Sequence, residues 1–159
     1  MAAAAAATVC SASLAGCGSP RTAPDVEYTL LNGTRGRTQA LHGQVVLLNF
    51  WATSCAPCVA GMPALVATHQ HFAPQGLVML AVAMQYDPPA AVSQFAQSRR
   101  LPFGVVIDNT GAVARAFGDV RQTPTHVVID KRGGIARQAA GEPDTKRLHA
   151  LLARLLAQA

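Results

Sequence analysis

Apolar positions along this chain fall into short unbroken runs and longer stripes spaced three or four apart. Val45 to Phe50 is nearly all apolar, which predicts a strand buried on both faces. Leu77 to Met84 and Phe103 to Ile107 repeat that pattern. Between the first two runs, Met62, Leu65, Val66, His69 and Phe72 form one stripe of a helix predicted from about Ala56 to Phe72, with Pro63 expected to kink it. Pro88-Pro89 opens a second helix running to about Arg100, with Val92 and Phe95 facing inward. A short helix is predicted from Gly111 to Phe117. Thr125 to Asp130 and Ile135 to Ala139 read as an antiparallel pair joined through Lys131-Arg132-Gly133-Gly134. The last helix should start at an Asp144 N-cap and bury Leu148, Leu151, Leu152, Leu155 and Leu156. Upstream, Val26 to Leu31 predicts a strand, Asn32-Gly33 a hairpin turn, and Arg37 to Leu41 the returning strand. Strands alternating with helices, then a hairpin and a helix, predict an α/β fold around a mixed sheet.

Composition narrows the class. The chain has 159 residues, half of them apolar and 13% charged, enough for one domain with a proper core. This excludes a disordered or coiled-coil chain. The formal charge of +5 is not gathered into clusters interleaved with aromatics, so nucleic acid is not an expected partner. Residues 1–16 are uncharged and Ala-rich and end in Leu14-Ala15-Gly16, followed by Cys17. Small residues before a cleavage point fit an export signal. The segment resembles the lipobox of bacterial lipoproteins, which implies removal of residues 1–16 and a lipid on Cys17. It departs from that pattern in having no Lys or Arg before the apolar stretch. Residues 17–25 then form a linker, and residues 26–159 the folded domain.

The chemistry sits where the first apolar run meets the first helical stripe, at Phe50-Trp51-Ala52-Thr53-Ser54-Cys55-Ala56-Pro57-Cys58. Cys55 falls in the first turn of a helix, where unpaired backbone N–H groups carry partial positive charge and favour a thiolate. Cys58 lies one helical turn on, within reach of the first sulfur. A reactive thiol with a resolving partner is the equipment for disulfide exchange. Of four cysteines, Cys10 would leave with the signal and Cys17 would carry lipid, so Cys55 and Cys58 remain as a pair with no spare thiol.

With Thr123-Pro124-Thr125 downstream, these residues complete a recognisable set. The chain resembles the TlpA/ResA-like exported thiol–disulfide oxidoreductases of the thioredoxin superfamily, from about Val26 to the C-terminus. The resemblance implies a thioredoxin-like fold: a central mixed β-sheet flanked by helices, an N-terminal β-hairpin, and a helix–strand insert at Asp87 to Ile107. It implies Cys55 and Cys58 as catalytic residues, and Trp51, Thr123 and a cis Pro124 as substrate-binding ones. It implies no cofactor beyond the redox-active Cys55–Cys58 disulfide, and no metal. Expected partners are protein thiols and disulfides, a membrane electron donor, and the membrane itself through a lipid anchor on the periplasmic side of the bacterial cell envelope. The family serves cytochrome c maturation and oxidase assembly, as a reductant.

Two departures stand out. Asn49 occupies the place where thioredoxins bury an acid, and Gly61 stands where many ResA-like proteins carry Glu. No Asp or Glu lies between Glu27 and Asp87, so a carboxylate taking the Cys58 proton would have to come from elsewhere, with Asp108 and Asp119 as candidates. His126 follows the proline loop closely enough to tune a thiol, although a partly exposed strand histidine is the plainer reading. His69 and His71 point to different faces of their helix and do not make a metal pair. Two other functions share the fold. A copper-binding assembly factor would need a histidine beside the two cysteines. A thiol peroxidase would need a threonine three residues before the reactive cysteine, where Ala52 stands.

Overall fold

The computed structural model describes residues 21–158. The proposed signal and Cys17 lie outside them. Strands β3 (Val45–Trp51) and β4 (Leu77–Ala83) pair in parallel at the centre of a five-stranded sheet. Strand β5 (Gly104–Ile107) adds in parallel beyond β4, while β6 (Thr125–Ile129) and β7 (Ile135–Ala140) continue antiparallel on the other side. The order is β5-β4-β3-β6-β7, the mixed sheet expected from the apolar runs. Every residue of β3 is buried, because helices cover both faces of the sheet.

Helix α1 (Ala56–Phe72) packs on one face together with α2 (Pro89–Ser98) and α4 (Thr145–Leu156); α3 (Ala112–Ala116) and the N-terminal hairpin cover the other. Cys55 is the N-cap of α1, one position ahead of the first turn in which the spacing placed it. Pro63 does not end α1, which runs unbroken through it; the ring is exposed, so its missing N–H bond is lost on the solvent side. Asp144 caps α4 as expected, its carboxylate accepting the Arg147 N–H at 3.1 Å. Lys131 closes the other end of α4 by donating to the carbonyls of Leu156 and Gln158.

The hairpin departs from expectation. Its strands are β1 (Glu27–Thr29) and β2 (Arg35–Arg37), and Thr38–Leu41 is a short 3-10 turn where the returning strand was expected. The Thr38 hydroxyl accepts the Val26 N–H and donates to the Pro24 carbonyl, which turns the chain at that point. The first strand is cut short because Leu31 N–H goes to the Val105 carbonyl of β5 at 2.7 Å. An unpaired sheet edge competes with the hairpin and wins.

Candidate active site

Because β3 and β4 are parallel, both end on the same edge of the sheet, and β6, running the other way, begins there. Crevices at the carboxyl ends of parallel strands are where α/β sheets place their ligands. Three connections meet at this edge: the Cys55–Cys58 turn after β3, residues 84–88 after β4, and the Thr123-Pro124 loop before β6.

Cys55 and Cys58 are joined by a disulfide, with Cα atoms 5.2 Å apart. Cys55 is half-buried, whereas Cys58 is 3% exposed and packs in the core with Met62 and Trp51. Cys55 Sγ accepts the Cys58 N–H at 3.3 Å, so one of the free donors of the helix start already points at this sulfur. The same donor would stabilise a thiolate there. Ala56 and Pro57 occupy the first helical positions, where a proline loses nothing. Pro57 itself is exposed, so the burial of Cys58 comes from the sheet side of the helix.

The Thr123–Pro124 peptide bond is cis, as the resemblance implied. Phe50 is the Cα partner of Thr125, which sets Pro124 beside the strand end that carries Trp51. Pro124 is buried and Thr123 half-buried. Trp51, expected to face substrate, has no exposed surface; its ring lies 5.0 Å from Phe95 at 49°. It supports the motif from beneath.

Both candidate acids are bonded to other groups. Asp108 is buried and caps α3, accepting the N–H groups of Val113 and Ala114 at 3.2 and 2.9 Å. Asp119 is exposed and paired with Arg121. The carboxylate that does reach the motif is Asp87, which sequence reasoning passed over. It is 3% exposed and accepts both the N–H and the hydroxyl of Thr53, at 2.6 and 2.5 Å. Its place before Pro88-Pro89 reads locally as the start of a helix, and nothing near it in sequence points to Thr53, 34 residues away. Next to it, Tyr86 is the exposed large apolar side chain among the described residues, with its hydroxyl 3.5 Å from Thr123 Oγ1.

His126 is buried, not partly exposed as expected, and stands directly across from Asn49 in the β3–β6 pair. Both ring nitrogens and Asn49 Oδ1 lack hydrogen-bond partners in the protein. Burial pushes the imidazole down to about 4; the backbone of Gly141 pulls weakly the other way without making a hydrogen bond. The ring borders a cavity of about 60 Å³ under the β7–α4 connection, lined also by Gly141 and Leu148, so it faces that connection. Among the described residues, no three His, Cys, Asp or Glu side chains stand close enough to hold a metal ion.

Comparisons with known proteins agree with this geometry. The chain is 38% identical over 96 residues to the thiol-disulfide oxidoreductase ResA of Geobacillus kaustophilus, covering 60% of this chain and 55% of that one. The chain thus spans about half the length of the curated relatives it matches. A candidate thioredoxin from Neisseria meningitidis superposes with a TM-score of 0.79 at 36% identity, over 86% of this chain and 90% of that one. A structure from Chlorobium tepidum, described as a candidate thiol:disulfide interchange protein DsbE, gives 0.79 at 26% identity over 87% and 97%. The sequence profile of the AhpC/TSA family matches residues 20–138. With that match spanning most of its length, the chain belongs to the AhpC/TSA family and has the thioredoxin-like fold of the oxidoreductases it resembles.

Proposed function

We propose that this protein is a thiol–disulfide oxidoreductase that reduces protein disulfides through Cys55 and Cys58. The observation that carries this reading is the asymmetry of the pair. Cys55 is half-exposed at a helix N-cap with a backbone donor on its sulfur, and Cys58 is buried one turn below. In the dithiol form, Cys55 thiolate attacks a substrate disulfide and expels one substrate thiolate, which takes up a proton. Cys58, after losing its proton, attacks Cys55 Sγ and frees the second substrate sulfur. The protein is left with the disulfide seen here, and the substrate gains two electrons. The dithiol itself is the redox group, and a membrane electron donor restores it. Thr123 beside the cis Pro124 offers backbone groups to the substrate segment.

The same reading places the protein at the cell envelope, facing the periplasm, with a lipid on Cys17 as anchor. Among the described residues no helix is long and apolar enough to cross a membrane. Apocytochromes awaiting haem and copper-site proteins of the oxidase are the substrate classes that fit. A thiol peroxidase fits less well, since Ala52 holds the position three before Cys55 and the Thr53 hydroxyl is committed to Asp87.

Brief iodoacetamide treatment of the reduced protein, followed by mass mapping, tests the assignment. Cys55 should be labelled well before Cys58, and Cys58→Ser should accumulate a mixed disulfide with an oxidised protein substrate. Equal labelling of the two cysteines would reject the attack-and-resolve order.

A further inference from the structure

The loop that presents Cys55 is held from outside itself. The Cys55 N–H donates to the Ala52 carbonyl at 3.1 Å, closing a turn with Thr53 and Ser54 at its corners. Thr53 has two donors, its N–H and its hydroxyl, and they go to different oxygens of Asp87. An asparagine at 87 would accept only one of them, its amide donating to the Thr53 hydroxyl oxygen instead, so only loss of the side-chain head releases the clamp. The carboxylate is 3% exposed, and no Lys, Arg or His pairs with it among the described residues. Burying an unpaired carboxylate is costly unless its hydrogen bonds are strong.

The ordinary role for an acid in this place would be to cap the helix that follows. Asp87 does not do so: the N-cap of α2 is Pro88, and both Asp87 oxygens go to Thr53. The carboxylate is turned back across the sheet edge to the cysteine loop. Its own position is set by the Asp87 N–H donating to the Met84 carbonyl, while the Met84 N–H donates to Trp51. The connection after β4 is therefore tied at both ends to the strand and loop that deliver the motif.

We propose that Asp87 is a positioning residue for Cys55: by clamping Thr53 it fixes the turn that aims the Cys55 sulfur at the donors of the α1 N-terminus. This rests on the disulfide-exchange reading above. It adds a residue from the helix–strand insert to a site otherwise built from the strand–helix joint and the proline loop. The claim is positional, which makes it separable from the effect of a nearby negative charge. A charge acting directly would raise the Cys55 thiol pKa, and removing it would lower that value. Loss of the clamp does the opposite, since the sulfur drifts from its donors.

The experiment is the pH profile of Cys55 alkylation in the reduced full chain, for Thr53→Val, Thr53→Ser and Asp87→Ala, with thermal melts to confirm folding. Thr53→Val keeps the charge and removes one donor; Thr53→Ser keeps both donors. Thr53→Val and Asp87→Ala should both shift the profile upward by about one pH unit, roughly tenfold less thiolate at neutral pH. Thr53→Ser should follow the parent protein. A downward shift in Asp87→Ala with Thr53→Val unchanged would overturn the proposal in favour of a direct charge effect, and no shift in either would overturn it outright. If Asp87→Ala fails to fold, the two Thr53 variants decide alone. A parent protein that reduces no protein disulfide, yet shows these shifts, would refute the function and leave the positioning role standing.

Discussion

The two faces of the central sheet are built from the same strands and bury very different things. On one face, Val46, Leu48 and Phe50 of β3 meet Val82, Val113 and Phe117 in a core of apolar side chains. On the other, Val45, Leu47 and Trp51 meet Cys58, Met62 and Leu152. Asn49 shares that second face with Trp51 by the two-residue period of the strand, and His126 lies opposite it. Unpartnered polar atoms gather there: Asn49 Oδ1, Trp51 Nε1, His69 Nδ1 and both nitrogens of His126. The first face has only Gln138 Oε1 among the described residues, and the amide nitrogen of that side chain bonds the Phe117 carbonyl at 2.7 Å. Native folds pair nearly all such groups, and exceptions cluster where stability has yielded to chemistry. The face that carries Cys58 is the more polar of the two.

Phe117→Ala offers the hardest test of that division. Phe117 has no exposed surface and its ring lies 6.1 Å from that of Phe50. Truncation should cost about 3–5 kcal/mol of stability in a denaturant melt. The reduction potential and the Cys55 alkylation rate should stay where they are. A shift in either would mean the two faces are coupled through the sheet.

His126 sharpens the comparison from the other side. Its folded pKa, about 4, lies below the free value of 6.5, so the unfolded chain binds the extra proton first as pH falls. Stability from the neutral ring is complete above about 6.5 and is lost progressively down to about 4, up to roughly 3 kcal/mol in all. Arg137 and Arg147 with Glu142 and Asp144 line the same cavity and balance in charge. Melts across this range should show the slope in the parent protein, and His126→Leu should flatten it. An unchanged slope in that variant would move the acid lability to another group.

The smallest effect concerns Gly61, on α1 three residues after Cys58. A Cβ built there meets nothing within 4 Å. Gly61→Ala should therefore stabilise the helix by about 0.5–1 kcal/mol. Gly61→Glu restores the family acid in the same open space and should speed the second step, attack by Cys58. It should also raise the Cys55 thiol pKa by less than about one unit, because a nearby negative charge disfavours the thiolate. Stopped-flow turnover and thiolate absorbance read both effects, and unchanged values would show that another group already takes the Cys58 proton.

What the chain reveals alone is what depends on neighbours in sequence. Val45–Trp51 and Leu77–Ala83 are legible as buried strands, Asp144 as a cap, and Cys55-Ala56-Pro57-Cys58 as a thiol pair at a strand–helix joint. Each is a matter of period, capping or turn chemistry within a few residues. What the tertiary structure decided are partnerships across the sheet. Asp108 could not be told from a proton acceptor until α3 folded onto it, nor Leu31 from a hairpin residue until β5 offered its edge. His126 became a buried group only when β7 and α4 closed over it. Asp87 belongs to Thr53 because parallel pairing of β3 and β4 ends both strands on one edge, and that register is written in no local pattern.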